Sequence, residues 1–570
     1  MVARLITLLS RETRDIHSAA YILAACALLS QMFALFRDRL LAGTFGAGST
    51  LDVYYTAFRI PDFLFATVAS LLSLYALMPV LSELEARSES SSISFMRRTL
   101  WVFFAAMGAI SLVVFIFVPY LIPIIAPGIA RTADAEAQLI LLTRILLLQP
   151  ILLGASNILA NLTQLKHRFA LYAVSPLLYN IGIIIGIVAL YPMFGIAGLA
   201  WGVVLGALMH VLVQVPLFSF QRAGESIPWN TYWRHLRDVL VLSVPRTGAL
   251  AAGQISLMAL VALASTLAAG SVAVFSFAYN LQAVPLTIIG VSYSVAAFPT
   301  LARLFAAGER QDFLAHIEQA LRHIAFWAIP ATVLVIVLRA QLVRVILGAG
   351  VFDWSATRLT AAALALFVLS LFAQSAVLII MRAYYAAGST KKPLLLAILS
   401  VAVSVASAYA LVHLFNNSET VRLWFDTLLR VDAGTAPEAT GNTATVLMLA
   451  LGYALGSVTQ CVLGLTLFAK DFNLSLAPLR RLFLQSTVAS VLGGVAAYAV
   501  LAAAGAYLFD LHTLLGIFLQ GLLAGLTGLL ITALLLHLQQ NQELKEITKA
   551  LHHRIRGVPV TVEPTDLEAA

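Results

Sequence analysis

Fourteen apolar runs recur along the whole chain, at about 18–36, 53–82, 99–126, 137–163, 169–192, 194–219, 236–268, 271–301, 323–347, 357–386, 393–415, 443–469, 482–508 and 512–538. Each approaches or exceeds the roughly 20 residues that a helix needs to cross a hydrocarbon core. In lipid, backbone N–H and C=O groups find partners only within helices or closed barrels. These runs are far longer than barrel strands and do not alternate apolar with polar, so they are expected to be helices. Composition agrees: 61% of the residues are hydrophobic and 11% charged, whereas a soluble chain carries about 25% charged residues. The expected class is an all-α polytopic membrane protein of about 14 transmembrane helices.

The net charge of +8 could suggest a nucleic-acid partner. The basic residues instead fall in short groups between apolar runs, the pattern of loops anchored at a membrane face. With the N-terminus placed inside and the spans alternating, 24 Lys and Arg fall inside and 8 outside. That positive-inside bias puts both termini in the cytoplasm. Seventeen mostly polar or charged residues precede the first run, which does not fit a cleavable signal peptide. Cys26 and Cys461 lie far apart in apolar runs, suggesting neither a disulfide nor a zinc site.

A weak repeat divides the chain. Ala47-Gly48-Ser49 leads into a run with Arg59 and Pro61, and Ala269-Gly270-Ser271 leads into one with Asn280 and Pro285. Lys166-His167-Arg168 and Lys391-Lys392-Pro393 recur at a similar offset, six spans apart. An even offset keeps the orientation, so the expected plan is two pseudo-symmetric six-helix lobes, 1–230 and 231–470, with a substrate handled between them. Two C-terminal helices (471–540) and a cytoplasmic tail (541–570) follow, and a polar extracytoplasmic insertion occupies about 416–442.

Ionisable groups at membrane depth are costly unless paired or wet, and they usually face a bundle interior. Arg59 and Asp62, three apart on one helix, can pair on one face. They form either a charged cavity wall or a self-neutralised pair near the headgroups. Asp52 opens the same run. Arg246 follows Pro245, with Gln254 about two turns on along the same face; the guanidinium could meet a substrate or the carbonyl that the proline frees. Arg144 sits one turn into its run, where it can snorkel to the headgroups. Amides such as Gln31, Asn180, Gln254 and Asn280 often serve as interhelical hydrogen-bond glue. No H-E-x-x-H, G-x-S-x-G, Walker A or C-x-x-C motif occurs. The chain therefore reads as a non-enzyme without cofactor or metal, driven by a gradient, the membrane potential or a partner.

Phe36-Arg37-Asp38, Phe45-Gly46-Ala47-Gly48, Asp52 and Ala57-Phe58-Arg59-Ile60-Pro61 stand in order. Ala126-Pro127-Gly128, Asn161, Gln164, Arg168-Phe169, Tyr179-Asn180, Pro245-Arg246-Thr247 and Gln254 follow. Gly350-Val351-Phe352, Arg382, Tyr385-Ala386 and Thr390-Lys391-Lys392-Pro393 close the series. Over about residues 30–400 the chain resembles the MurJ (MviN) family of the multidrug/oligosaccharidyl-lipid/polysaccharide exporter superfamily. The resemblance implies two six-helix lobes plus two helices whose groove holds a lipid tail. It implies a bacterial inner-membrane flippase that carries lipid II, the polyprenyl-diphosphate-linked peptidoglycan precursor, to the periplasmic leaflet. The family mechanism is alternating access coupled to membrane potential or a monovalent ion, among membrane lipids and the cell-wall synthesis machinery, with no nucleic acid. Of the family's substrate-facing residues Arg37, Asp52, Arg59 and Arg246 remain, and Asp62, Gln31, Gln254 and Asn280 complete the expected substrate-binding and cavity set. The chain departs from the family where an arginine of the first span falls at Gln31, an arginine pair at Phe65 and Ala66, and an Asp-Arg at Tyr279-Asn280. Fewer fixed cations leave open another lipid-linked oligosaccharide, a cation-coupled drug exporter, or a non-transporting scaffold for cell-wall enzymes.

Overall fold

A computed structural model describes residues 16–72, 74–166, 168–215, 228–429, 443–510 and 513–555. Arg4, Arg11, Arg14, His167, Arg222, part of the 416–442 insertion and the end of the tail lie outside these residues. Among the described residues every regular element is helical. Eleven segments are long and apolar enough to cross a membrane, or twelve when the pair Trp354–Val368 and Leu371–Ala386, bent by 43°, counts as one. Ile16–Phe45 and the shorter Ile196–Leu212 occupy the remaining expected spans, so a count of about fourteen is consistent with the helices. Their outward faces are apolar: Ser91–Ile125 exposes Leu112, Ile116 and Ile124, as a lipid-facing helix should.

The expected run 53–82 is not one continuous helix. It is built from Ser49–Ala57, Arg59–Thr67, a 3-10 turn at Ala69–Leu72 and Leu74–Arg87. Pro61 has no N–H to give the carbonyl four residues earlier, at Ala57, and its ring crowds that oxygen. The chain breaks there and Arg59 opens a new helix beside the break.

Contacts group the chain into two units. The first holds 1–281, 346–367 and 389–460. Inside it, Phe169–Ile185 and Ile196–Leu212 cross almost backbone to backbone. A Cβ on Gly182 would lie 2.2 Å from the Gly206 Cα, and one on Gly202 would lie 2.3 Å from the Gly186 Cα. Lipid supplies no hydrophobic drive between helices, so close approach through small residues carries the association. Gly202→Val is expected to force these helices apart and destabilise the protein by about 2–3 kcal/mol. Thermal unfolding in detergent checks this against Gly108→Ala, whose added methyl meets nothing within 4 Å. Lys166 in the loop after Leu148–Leu165 pairs with Glu85 at 2.5 Å. The Arg98 guanidinium lies 4.2 Å above the Trp229 ring.

The second unit holds 282–345, 368–388 and 461–570. Ile317, Ile324, Ala328, Ile379, Ala383 and Phe468 form its buried core. Ala477–Tyr507 and Leu514–Leu538 pack through Gly493, whose Cβ would lie 2.1 Å from Thr532 Oγ1. The amphipathic helix Gln542–Ile555 is tied to Arg310–Leu347 by Arg322 and Glu543, 2.5 Å apart.

Candidate functional site

Within the first unit a cavity of about 310 Å³ opens among helices Ile16–Phe45, Ser49–Ala57, Arg59–Thr67, Leu148–Leu165, Phe169–Ile185, Trp229–Ser265 and Ser271–Leu286. Arg37, Arg59, Asp62, Gln254 and Asn280, five of the residues singled out from the sequence, line it. Gln149, Tyr54, Tyr55, Tyr179 and Tyr279 complete its polar wall. A second recess, of about 420 Å³, lies beside the turns at 45–48 and 269–271 and is lined by none of the expected site residues.

Arg37 does not stand alone. Its Nη2 lies 2.7 Å from Asp38 Oδ1, which also accepts from Nε at 2.9 Å. Adjacent residues on a helix point apart, so the long arginine folds back along its own helix to reach its neighbour. Nη1 donates to Asn180 Oδ1 at 3.1 Å, and Asn280 Nδ2 donates to Asp38 Oδ2 at 3.2 Å. Asn180 Nδ2 in turn reaches the Pro176 carbonyl at 3.1 Å, an oxygen on its own helix. One neutral network therefore links Ile16–Phe45, Phe169–Ile185 and Ser271–Leu286, and Asp38 at its centre is 3% exposed.

Arg59 and Asp62 share the cavity wall, as their spacing predicts, yet they do not close an ion pair. Asp62 Oδ1 instead accepts a long hydrogen bond, 3.5 Å, from Gln149 Nε2. Arg59 Nε, Tyr55 Oη and Gln149 Oε1 are buried without a hydrogen-bond partner.

Asp52, Gln31 and Arg246 do not line this cavity. The Asp52 carboxylate accepts from the backbone N–H of Gly270 at 2.6 Å and of Ala273 at 2.8 Å. It therefore serves the open N-terminus of Ser271–Leu286, where orphan donors and the helix dipole favour an anion. Gly270, at φ +88°, makes the contact possible, because a Cβ there would lie 2.1 Å from the Ala47 carbonyl oxygen. The two copies of the Ala-Gly-Ser repeat thus meet at this point. Gln31 precedes Arg37 by six residues, about 9 Å of helix rise, and Arg246 precedes Gln254 by eight, about 12 Å. Arg246 lies next to Thr247, whose hydroxyl is 3.0 Å from that of Ser70. A shared helix face did not bring Arg246 to the level of the cavity.

Sequence reasoning missed Asp38 and Gln149 as site residues. The adjacency of Asp38 to Arg37 at membrane depth was a usable signal. Gln149 gave none, since an amide in an apolar run is usually interhelical glue.

Membrane-spanning helices around a polar cavity, with charged side chains held in its wall, define a polytopic helical membrane transport protein. The family model described as lipid II flippase MurJ matches residues 41–421. The lipid II flippase MurJ of Burkholderia cenocepacia is 26% identical over 398 residues, 69% of this chain and 77% of that one. A probable lipid II flippase MurJ of Thermotoga maritima is 26% identical over 381 residues, 66% of this chain and 76% of its own. Among solved structures, a lipid II flippase MurJ in an inward closed conformation superposes with TM-score 0.69 at 19% identity, covering 91% of this chain and 99% of that one. An inward-facing multidrug resistance MATE family transporter of the MOP superfamily gives 0.63 at 14% identity, covering 80% and 98%. The chain belongs to the MurJ family.

Proposed function

We propose that this chain is a flippase that carries lipid II, the polyprenyl-diphosphate-linked peptidoglycan precursor, from the cytoplasmic to the periplasmic leaflet of the bacterial inner membrane. The observation that carries this reading is the polar cavity walled by Arg37, Arg59 and Asp62 in a chain of the MurJ family. Ionisable side chains at that depth serve a hydrated headgroup far better than they serve lipid. The working cycle is alternating access of two six-helix halves, 1–230 and 231–470, with both termini in the cytoplasm. The helices of 471–540 hold the lipid tail. No nucleotide-binding loop is present in the sequence, so membrane potential or a monovalent ion drives the cycle. Membrane lipids surround the chain and the cell-wall synthesis machinery takes its product.

The test is rescue of a bacterial strain depleted of its own precursor flippase. Expression of this chain restores growth, and Arg59→Ala lowers precursor flux at least about tenfold at equal membrane abundance, the loss of one charged contact to the substrate. Absence of rescue by a well-expressed wild-type chain removes lipid II as the substrate.

A further inference from the structure

Helix Glu419–Leu429 follows the membrane-spanning helix Lys391–Asn417 after a single residue, Ser418, which is extended at φ −119° and ψ 109°. The spanning helix has 27 residues, a rise of about 40 Å, close to the roughly 40–45 Å of a bilayer with its headgroups. Its last turns expose His413, Asn416 and Asn417, so it ends at the polar surface. Continued along the same axis, Phe425 would stand about 12 Å beyond Asn417. Its ring instead packs edge-on against Phe415, with centroids 6.1 Å apart. The Ser418 hydroxyl, accepting from the Val421 N–H at 3.4 Å, caps the turn. The short helix is therefore folded back beside the end of the span and runs at headgroup level instead of projecting into water.

Its residues divide into two faces. At about 100° per residue, Val421, Trp424, Phe425, Leu428 and Leu429 share one apolar sector of about 140°. Val421, Phe425 and Leu429 are half-buried. Trp424 and Leu428, one turn apart on the flank of that sector, are 61% and 57% exposed. Glu419, Thr420 and Thr427 lie exposed on the other side of the helix. Leu423 stands among them and is 60% exposed.

The uncovered flank adjoins a lipid-facing surface. Leu395, Ile398, Leu399, Tyr409 and Leu414 expose apolar side chains along the spanning helix. Trp424 adds an indole at the polar end of that span, the depth at which tryptophan and tyrosine settle. An apolar flank below and hydroxyls with a carboxylate above are the faces of a helix lying in a membrane interface.

We infer that helix Glu419–Leu429 lies flat in the headgroup region of the bilayer, with Trp424 and Leu428 inserted among the lipids and Leu423 facing water. With both termini in the cytoplasm, as proposed above, this is the periplasmic leaflet. The lipid surface is thus the partner of a stretch that composition alone marks as a polar loop.

The test places one thiol at a time, by Leu423→Cys, Trp424→Cys or Leu428→Cys, in the full chain carrying Cys26→Ala and Cys461→Ala, which remove its own free thiols. Each thiol is labelled with nitrobenzoxadiazole and measured in nanodiscs of phosphatidylethanolamine and phosphatidylglycerol. Labels at 424 and 428 are expected to be quenched by lipids spin-labelled near the top of the acyl chain and to resist iodide, at a depth of about 5–10 Å into the headgroup–acyl boundary. The label at 423 is quenched by iodide and not by lipid, although Leu423 is as exposed as Trp424. Iodide quenching at all three positions overturns the inference and puts the helix in water. Protection of 424 and 428 from both quenchers overturns it in favour of a protein cover, a second copy or the chain itself. Equal lipid quenching at all three positions overturns the assigned face. Because a label can itself draw a helix to lipid, hydrogen exchange on unlabelled chains gives a second reading. Trp424→Ser combined with Leu428→Ser quickens exchange over residues 419–429 in nanodiscs, and Leu423→Ser leaves it at the wild-type rate. Equal exchange in the wild type and both variants overturns the inference as well.

Discussion

Asp38→Ala is expected to be among the most damaging single substitutions in the chain, destabilising it by about 3–5 kcal/mol, the usual result of removing one partner of a buried pair. The carboxylate is 3% exposed and takes two donors from Arg37 and one from Asn280. Without it, the Arg37 guanidinium keeps only its 3.1 Å bond to Asn180 and stands as an uncompensated cation at membrane depth. Thermal unfolding in detergent should show a clear fall in Tm, with reduced membrane abundance. The discriminating variant is the double change Arg37→Met with Asp38→Ala. Removing both charges abolishes the desolvation penalty, so it should recover most of the lost stability while transport stays low, because Arg37 also faces the cavity. Unchanged stability of Asp38→Ala would show that the pair does not bear on folding.

The helical membrane class was legible from the sequence because span length and hydropathy act locally, residue by residue. The cavity was legible only in part. Arg59 and Asp62 could be placed on one face by their spacing, since three residues on a helix nearly complete a turn. Gln254 and Asn280 line the cavity, and Asn280 also bonds across helices to Asp38, as intramembrane amides commonly do. Depth along a helix was harder to read than its face. Arg246 shares a helix with Gln254 but lies about 12 Å of rise away, and Gln31 is displaced from Arg37 in the same manner. The amides that hydrogen-bond these carboxylates lie far off in sequence, Asn280 for Asp38 and Gln149 for Asp62. No periodicity within one helix announces a hydrogen bond to another. The break at Phe58 was written in the sequence as Pro61, whose missing donor falls four residues after Ala57.

Asp52 supplies the second large effect, and it separates a structural from a substrate-facing carboxylate. Asp52→Ala removes both acceptors from the Gly270 and Ala273 amides. It also removes an anion from the N-terminus of Ser271–Leu286, where the dipole favours one. Two charge-assisted bonds contribute about 1.5–3 kcal/mol each, so the loss should reach about 3 kcal/mol even after water reclaims part of it. Local opening at residues 269–273 should then be about a hundredfold more frequent, since about 1.4 kcal/mol corresponds to a factor of ten. Hydrogen exchange read by mass spectrometry on the peptide spanning this turn measures that opening directly. Asp52→Asn keeps one acceptor oxygen without the charge and should fall between alanine and the wild type. Flux should decline in step with exchange across the three proteins, because the Ser271–Leu286 helix carries Tyr279 and Asn280 to the cavity. A carboxylate that contacted the substrate would behave differently: Asp52→Asn would abolish flux while the exchange of Gly270 and Ala273 stayed at the wild-type rate, and that result would return Asp52 to the substrate-binding set.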